Sequence, residues 1–295
     1  MVPIDSVLEG YLPWLDRQPF SPNTRIAYRR WVQQFLFYLN TYPAVYGDPL
    51  SEPSSRDYAV RDFKSHLKTR QHAQPASVNL ALAGLDHFYT RYLQMGNPRV
   101  EREELPNQAP RALSPEEQRR FLRAVKRQAN TRDQAIGTLL FYTALRISEC
   151  VQLNVDDVRI SERKGQVTVR MGKGNRYREV PLNASVRLSL QGWLDDRRTQ
   201  FPDTPESAVF LTRRGTRCSM RSVDFVIRKI AQDAGLTLSA HTLRHTCLTN
   251  LVRRGYDLVM VAELAGHKRL ETTRRYSLPS DEDRARAMES LKIEG

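Results

Sequence analysis

The chain has 295 residues, 40% hydrophobic and 27% charged, with a net charge of +13. That length suits two domains of roughly 100–200 residues each, and the composition excludes a disordered chain. No apolar run approaches the ~18 residues of a membrane helix, the opening Met-Val-Pro-Ile-Asp-Ser lacks the features of a secretory leader, and Cys150, Cys218 and Cys247 lie too far apart for a disulfide framework or a cysteine zinc site.

In chain order, the first 95 residues read as helical. Ser21-Pro22 is a start signal, a capping hydroxyl followed by proline at the first helical position. Behind it Tyr28, Trp31, Val32, Phe35, Leu36 and Leu39 recur at helical spacing. A shorter helix is expected near residues 56–68, around Tyr58, Phe63 and Leu67. A third is expected over 75–95, through Val78, Leu82, Leu85, Phe88, Tyr89 and Tyr92, and Gly96-Asn97-Pro98 stops it. These stripes read as core packing. From residue 96 to 112 the chain turns polar and proline-punctuated, which reads as an interdomain linker.

Ser114-Pro115-Glu116-Glu117 opens the second domain with a capping box, and helices are expected at 115–129 and 132–144. Val167-Thr168-Val169-Arg170-Met171 and Tyr177-Arg178-Glu179-Val180-Pro181-Leu182 flank Gly172-Lys173-Gly174-Asn175, the pattern of a β-hairpin. A short strand near 157–160 could pair with it. Beyond Ala184 the pattern is helical again, with Gly255 and Gly266 as C-terminal caps. The expected organisation is a helical N-terminal domain over 1–95, a linker over 96–112 and a second domain over 113–295. The fold class is mainly α with a small β-hairpin or sheet.

The charge points to a polyanionic partner such as nucleic acid. Residues 1–110 carry 12 basic and 11 acidic side chains, so nearly all of the excess lies beyond them. An anionic membrane is the competing reading, but no helix pairs a basic face with a bulky apolar one.

Four local features could carry chemistry. Arg146, in Thr143-Ala144-Leu145-Arg146-Ile147-Ser148-Glu149, follows an apolar helix and could equally be an ion-pair partner for Glu149. Lys173 sits between two glycines of the hairpin turn, facing solvent or a ligand. In His241-Thr242-Leu243-Arg244-His245, His241 and Arg244 share a helix face. The two histidines resemble half a zinc site, without the glutamate of the metalloprotease pattern. Leu264-Ala265-Gly266-His267 precedes Thr272-Thr273-Arg274-Arg275-Tyr276, where the tyrosine alone would read as an amphipathic surface residue.

Taken in order, Arg146, Lys173, His241-x-x-Arg244, Gly266-His267 and Tyr276 resemble the active-site signature of the tyrosine recombinase/integrase family. The resemblance spans the chain and is nearest to the compact Xer-type members. Ala144 departs from it, where glycine is common, as does Ala265, where a bulkier apolar residue is common. The resemblance implies a two-domain clamp, with a core-DNA-binding domain over 1–95 and a catalytic domain over 113–295. It implies a cytoplasmic, nucleoid-associated enzyme acting on double-stranded DNA at specific sites. That enzyme works as a homotetramer or with a related recombinase, through a Holliday junction.

The chemistry gives each residue a role. Attack on a phosphodiester adds charge to its non-bridging oxygens, which Arg146 and Arg244 can bind with paired N–H donors. Tyr276 is the nucleophile. By the resemblance, His241 and His267 assist proton transfer and bind the phosphate, and Lys173 protonates the departing 5′-oxygen. A 3′-phosphotyrosyl bond results. It conserves the diester energy, so no metal or cofactor is implied. The competing readings are a type IB topoisomerase, which reseals the same duplex, and a catalytically silent DNA-binding relative, against which the intact residue set argues. Resolution of dimers or cointegrates and integration of a mobile element all remain open roles. A tail helix, capped by Ser280 and running from Asp281 through Ala285, Met288 and Leu291, is expected to dock on a neighbouring protomer.

Overall fold

A computed structural model describes residues 4–42, 47–105, 110–171, 176–267 and 269–278, with 284, 285, 288 and 289. Lys173 and its hairpin turn lie outside the described residues, as does most of the expected tail helix, of which Arg284, Ala285, Met288 and Glu289 are described and helical. The chain divides into two compact units, Met1–Pro106 and Asn107–Gly295. Among the described residues no helix is long and apolar enough to cross a membrane.

The first unit is built from α1 (Ile4–Asp16), α2 (Pro22–Thr41), α3 (Pro53–Thr69) and α4 (Pro75–His87), the last continuing into a π-helical turn over Phe88–Tyr92. Ser21 caps α2 as its sequence implies, its hydroxyl accepting from Thr24 N–H at 3.2 Å. The aromatic stripes are core: Trp31, Phe35, Phe63, Phe88 and Tyr89 are buried together. They are joined by Val7, Tyr11 and Leu15 of α1, a helix the sequence reading did not delimit because Pro13 falls inside it.

The segment read as linker is anchored over part of its length. Lys64 donates to the Glu101 carbonyl at 2.7 Å and pairs with the Glu103 carboxylate at 2.8 Å. Asn79 exchanges two hydrogen bonds with the Glu103 backbone, and Arg102 pairs with Asp86. Charge and amide complementarity hold down a stretch whose sequence carries no periodicity.

The second unit comprises α5 (Pro115–Lys126), α6 (Thr131–Thr143), α7 (Ile147–Gln152), a three-stranded sheet, then α8 (Ala184–Gln200), α9 (Met220–Asp233), α10 (Ala240–Arg253), α11 (Leu258–Ala265) and α12 (Leu270–Arg274). The Ser114–Glu117 capping box forms as expected. The sheet is antiparallel in the order β1 (Val158–Ile160), β2 (Gly165–Met171), β3 (Arg176–Pro181), with Val167 opposite both Val158 and Val180. Val167, Val169 and Val180 turn into a core shared with Leu139, Leu140, Trp193, Phe210, Ile227 and Leu243. Helix α6 is buried almost all round, so α8, α9 and α10 can pack about it. A smaller cluster of Ala144, Cys247, Leu248, Val261, Ala265 and Tyr276 fastens α11 and the tyrosine segment to α10.

Candidate active site

Helix α6 ends on Ala144, which takes the left-handed conformation at φ 53°. Past that turn Arg146 is the N-terminal cap of α7, and the Ala144 carbonyl faces Arg244 of α10. An L-residue pays about 1–2 kcal/mol for this conformation, which accounts for glycine being common there; burial of the Ala144 methyl offsets part of it.

Arg146 pairs with Glu149 (2.8 Å) and reaches the Gly266 carbonyl (3.3 Å). The ion pair and the site role are therefore not alternatives. Glu149 also takes two bonds from Arg178 of β3, at 2.8 and 3.0 Å, and Arg178 reaches on to the Leu264 carbonyl at 3.0 Å. Burial raises the Glu149 carboxyl, but the bonds from Arg178 and the Arg146 backbone, with the charge of both arginines, outweigh it and hold its pKa below the usual range.

Arg244 lies on the second turn of α10 and is only 2% exposed. Its guanidinium donates to the Ala144 carbonyl, to the Ala265 carbonyl at 2.7 Å and to His267 Nε2 at 3.0 Å. Burial, then the nearby Arg146 charge, lowers its pKa to about 10, which still leaves it charged at neutral pH. His267 follows Gly266, the left-handed cap of α11 at φ 63°. A Cβ on Gly266 would stand 2.7 Å from Arg178 Nη1, so this glycine is required by conformation and by space. His267 Nδ1 meets Thr273 Oγ1 at 2.8 Å.

Tyr276 follows α12 and is 6% exposed. Its hydroxyl lies 2.8 Å from His245 Nδ1, and its ring stacks on His267 with centroids 6.1 Å apart. Burial raises the phenol pKa, against the lowering pull of Arg244, Arg275 and Arg146. His241 stands exposed at the start of α10, its ring 4.1 Å from that of His245.

Of the six residues singled out in the sequence, Arg146, His241, Arg244, His267 and Tyr276 meet in this site; Lys173 lies outside the described residues. Sequence reasoning missed Arg178, and took His245 only as a neighbour of Arg244. The strand alternation carried a signal for Arg178, which shares a face with the buried Val180. The arrangement gathers the guanidiniums of Arg146 and Arg244, with Arg178 bracing Glu149 behind them, close to the buried Tyr276 hydroxyl, a donor set suited to a phosphodiester.

Residues 111–283 match the model of the Phage integrase family, and residues 9–96 match that of Phage integrase, N-terminal SAM-like domain. The chain belongs to the phage integrase family. It is similar to Tyrosine recombinase XerC of Pelotomaculum thermopropionicum, 34% identical over 87% of this chain and 88% of the relative. It is also similar to Tyrosine recombinase XerA of Thermococcus kodakarensis, 29% identical over 98% of this chain and 96% of the relative. Among solved structures, the XerH site-specific recombinase bound to palindromic difH substrate in a post-cleavage complex matches with a TM-score of 0.71 at 21% identity, over 90% of this chain and 79% of that one. At that identity the likeness speaks for the fold alone. This member of the phage integrase family is a site-specific DNA recombinase, with the mainly helical fold and small antiparallel sheet expected from its sequence.

Proposed function

We propose that this recombinase cuts and rejoins DNA through a 3′-phosphotyrosyl bond to Tyr276. The observation that carries the reading is the meeting of Arg146, Arg244, His267 and Tyr276 from four separate segments: Arg146 reaches the Gly266 carbonyl, Arg244 bonds His267, and His267 stacks on Tyr276. Arg146 and Arg244 hold the non-bridging oxygens of the scissile phosphate, pre-aimed by Glu149 and by the carbonyls of Ala144 and Ala265. His267 holds Arg244 in place through its Nε2, and His241, exposed at the start of α10, adds a hydrogen bond to the phosphate. Lys173 gives the departing 5′-oxygen its proton. Attack by a 5′-hydroxyl from a second duplex reverses the step and joins new strands.

Four protomers act on two sites through a Holliday junction, with residues 1–95 binding the core of each site and the tail docking on a neighbour. An enzyme acting on chromosomal or plasmid DNA works at the nucleoid, in the cytoplasm. Resolution is favoured over integration on the whole-chain likeness to a TnP I resolvase of Bacillus thuringiensis, 25% identical over 97% of this chain.

The test starts from duplexes selected out of a random pool by binding to the protein. A supercoiled plasmid carrying two direct copies of the selected site should yield two circles, and Tyr276→Phe should yield none. Relaxation of the plasmid without exchange would favour the topoisomerase reading instead.

A further inference from the structure

We propose that His245, and not His241 or His267, receives the proton of Tyr276 when its oxygen attacks. The inference rests on Tyr276 being the nucleophile, and it assigns a role that the family-like signature left to other histidines.

Geometry separates the three candidates. His267 has no free lone pair. A guanidinium can only donate, so the Arg244 contact at 3.0 Å makes His267 Nε2 the acceptor. Nδ1 then carries the ring hydrogen and donates to Thr273 Oγ1 at 2.8 Å. Both nitrogens are committed, and His267 serves to hold Arg244 and to stack on the tyrosine ring. His241 is exposed and meets His245 ring to ring.

His245 remains. It lies one helical turn beyond His241 and is half-buried against Tyr276. Its Nδ1 is 2.8 Å from the Tyr276 oxygen, within the range for direct proton transfer. With its own hydrogen on Nε2, the ring offers Nδ1 as acceptor to the hydroxyl. The rings of His241 and Tyr276 pack on the imidazole, at 4.1 and 5.4 Å between centroids.

The electrostatics keep that nitrogen unprotonated before DNA arrives. His241 and Arg244 of α10 and His267 and Arg275 of the following segments all face His245; burial first, then these neighbours, lowers its pKa to about 4. A scissile phosphate placed between Arg146 and Arg244 brings negative charge against that field. It therefore favours the imidazolium at the stage when the proton must move. The step balances. The Tyr276 O–H bond breaks as the O–P bond forms, and the proton passes to Nδ1. The P–O5′ bond breaks, and its oxygen takes a proton from a separate donor. In the rejoining step the tyrosine oxygen recovers its proton from His245.

Asparagine at 245 sets an amide oxygen near the Nδ1 position, able to accept the hydroxyl's hydrogen bond but not its proton. Covalent adduct formation is followed in single turnover on a selected duplex nicked beside the scissile phosphate, between pH 5 and 9. His245→Asn and His245→Ala should both bind this duplex nearly normally and form adduct about 100-fold more slowly. Both should gain rate with hydroxide through pH 9, where the wild-type protein is level, and free imidazole should restore His245→Ala. Near-normal rates for His245→Asn, with His245→Ala slow, would reduce His245 to a positioning residue and overturn the proposal. A normal Tyr276 adduct in both variants would overturn it while leaving the nucleophile intact. A wild-type adduct on another residue would instead remove the nucleophile reading itself.

Discussion

Replacing Glu149 with glutamine removes one charge and keeps the shape. The wild-type carboxylate accepts from the Arg146 backbone at 2.8 Å, from Arg146 Nη1 at 2.8 Å and from Arg178 at 3.0 and 2.8 Å, while only 10% exposed. Glutamine keeps one acceptor oxygen and turns an NH2 group toward a guanidinium. Breaking a buried pair by neutralising one partner costs about 3–5 kcal/mol. Arg178 is 11% exposed, but Arg146 at 38% can rehydrate, which favours the low end, about 3 kcal/mol. For a unit of this size that loss lowers the melting temperature by about 6–12 °C. The sign of the pH dependence follows from the depressed carboxyl. Its stabilisation is complete at neutral pH, above the unfolded-state value, and is lost as pH falls through the lower folded-state pKa. The wild-type advantage over Glu149→Gln should therefore shrink in acid. Thermal unfolding of both proteins from pH 7 down to the acid side of the ordinary carboxyl value measures it. Equal melting temperatures at pH 7, or a gap that widens in acid, would refute the assignment of Glu149 as the brace of the arginines.

Gly266→Ala should destabilise by at least about 1–2 kcal/mol through the left-handed backbone alone, and more because its Cβ would displace Arg178; a loss of only about 1–2 kcal/mol would mean that Arg178 moves aside freely, and unchanged unfolding would refute the backbone cost as well. Lys173→Ala should cleave ordinary DNA poorly and DNA with a bridging 5′-sulfur almost normally, because a thiolate leaves without a proton; an equal defect on both substrates would make Lys173 a positioning residue. Deleting residues from 281 onward should leave binding to a single site intact and weaken cooperative binding to paired sites, measured by mobility shift. Full cooperativity in that truncation would remove the docking role.

Much of the fold was legible because it rests on local signals. Ser21-Pro22 and Ser114–Glu117 announced α2 and α5, and valines in alternation announced β2. Helix α1 was not delimited, although Val7, Tyr11 and Leu15 recur four residues apart, because Pro13 inside it argues against a continuous helix. The site was legible as a set of residue types in order, not as a geometry. Nothing local couples Arg178 to Glu149, 29 positions earlier, or His245 to Tyr276, 31 positions later. Those pairings exist only once β3 is packed beside α7, and the segment after α12 beside α10. The same holds for the Ala144 carbonyl, whose role toward Arg244 depends on a turn read in the sequence merely as a departure from glycine.

The covalent bond at Tyr276 can be identified directly. A selected duplex, nicked beside the scissile phosphate, traps the intermediate; nuclease and protease digestion then leave a peptide carrying a nucleotide. Mass spectrometry should find that nucleotide on Tyr276, attached through its 3′-phosphate. A nucleotide on any other residue, or a 5′-phosphate linkage at Tyr276, would contradict the account.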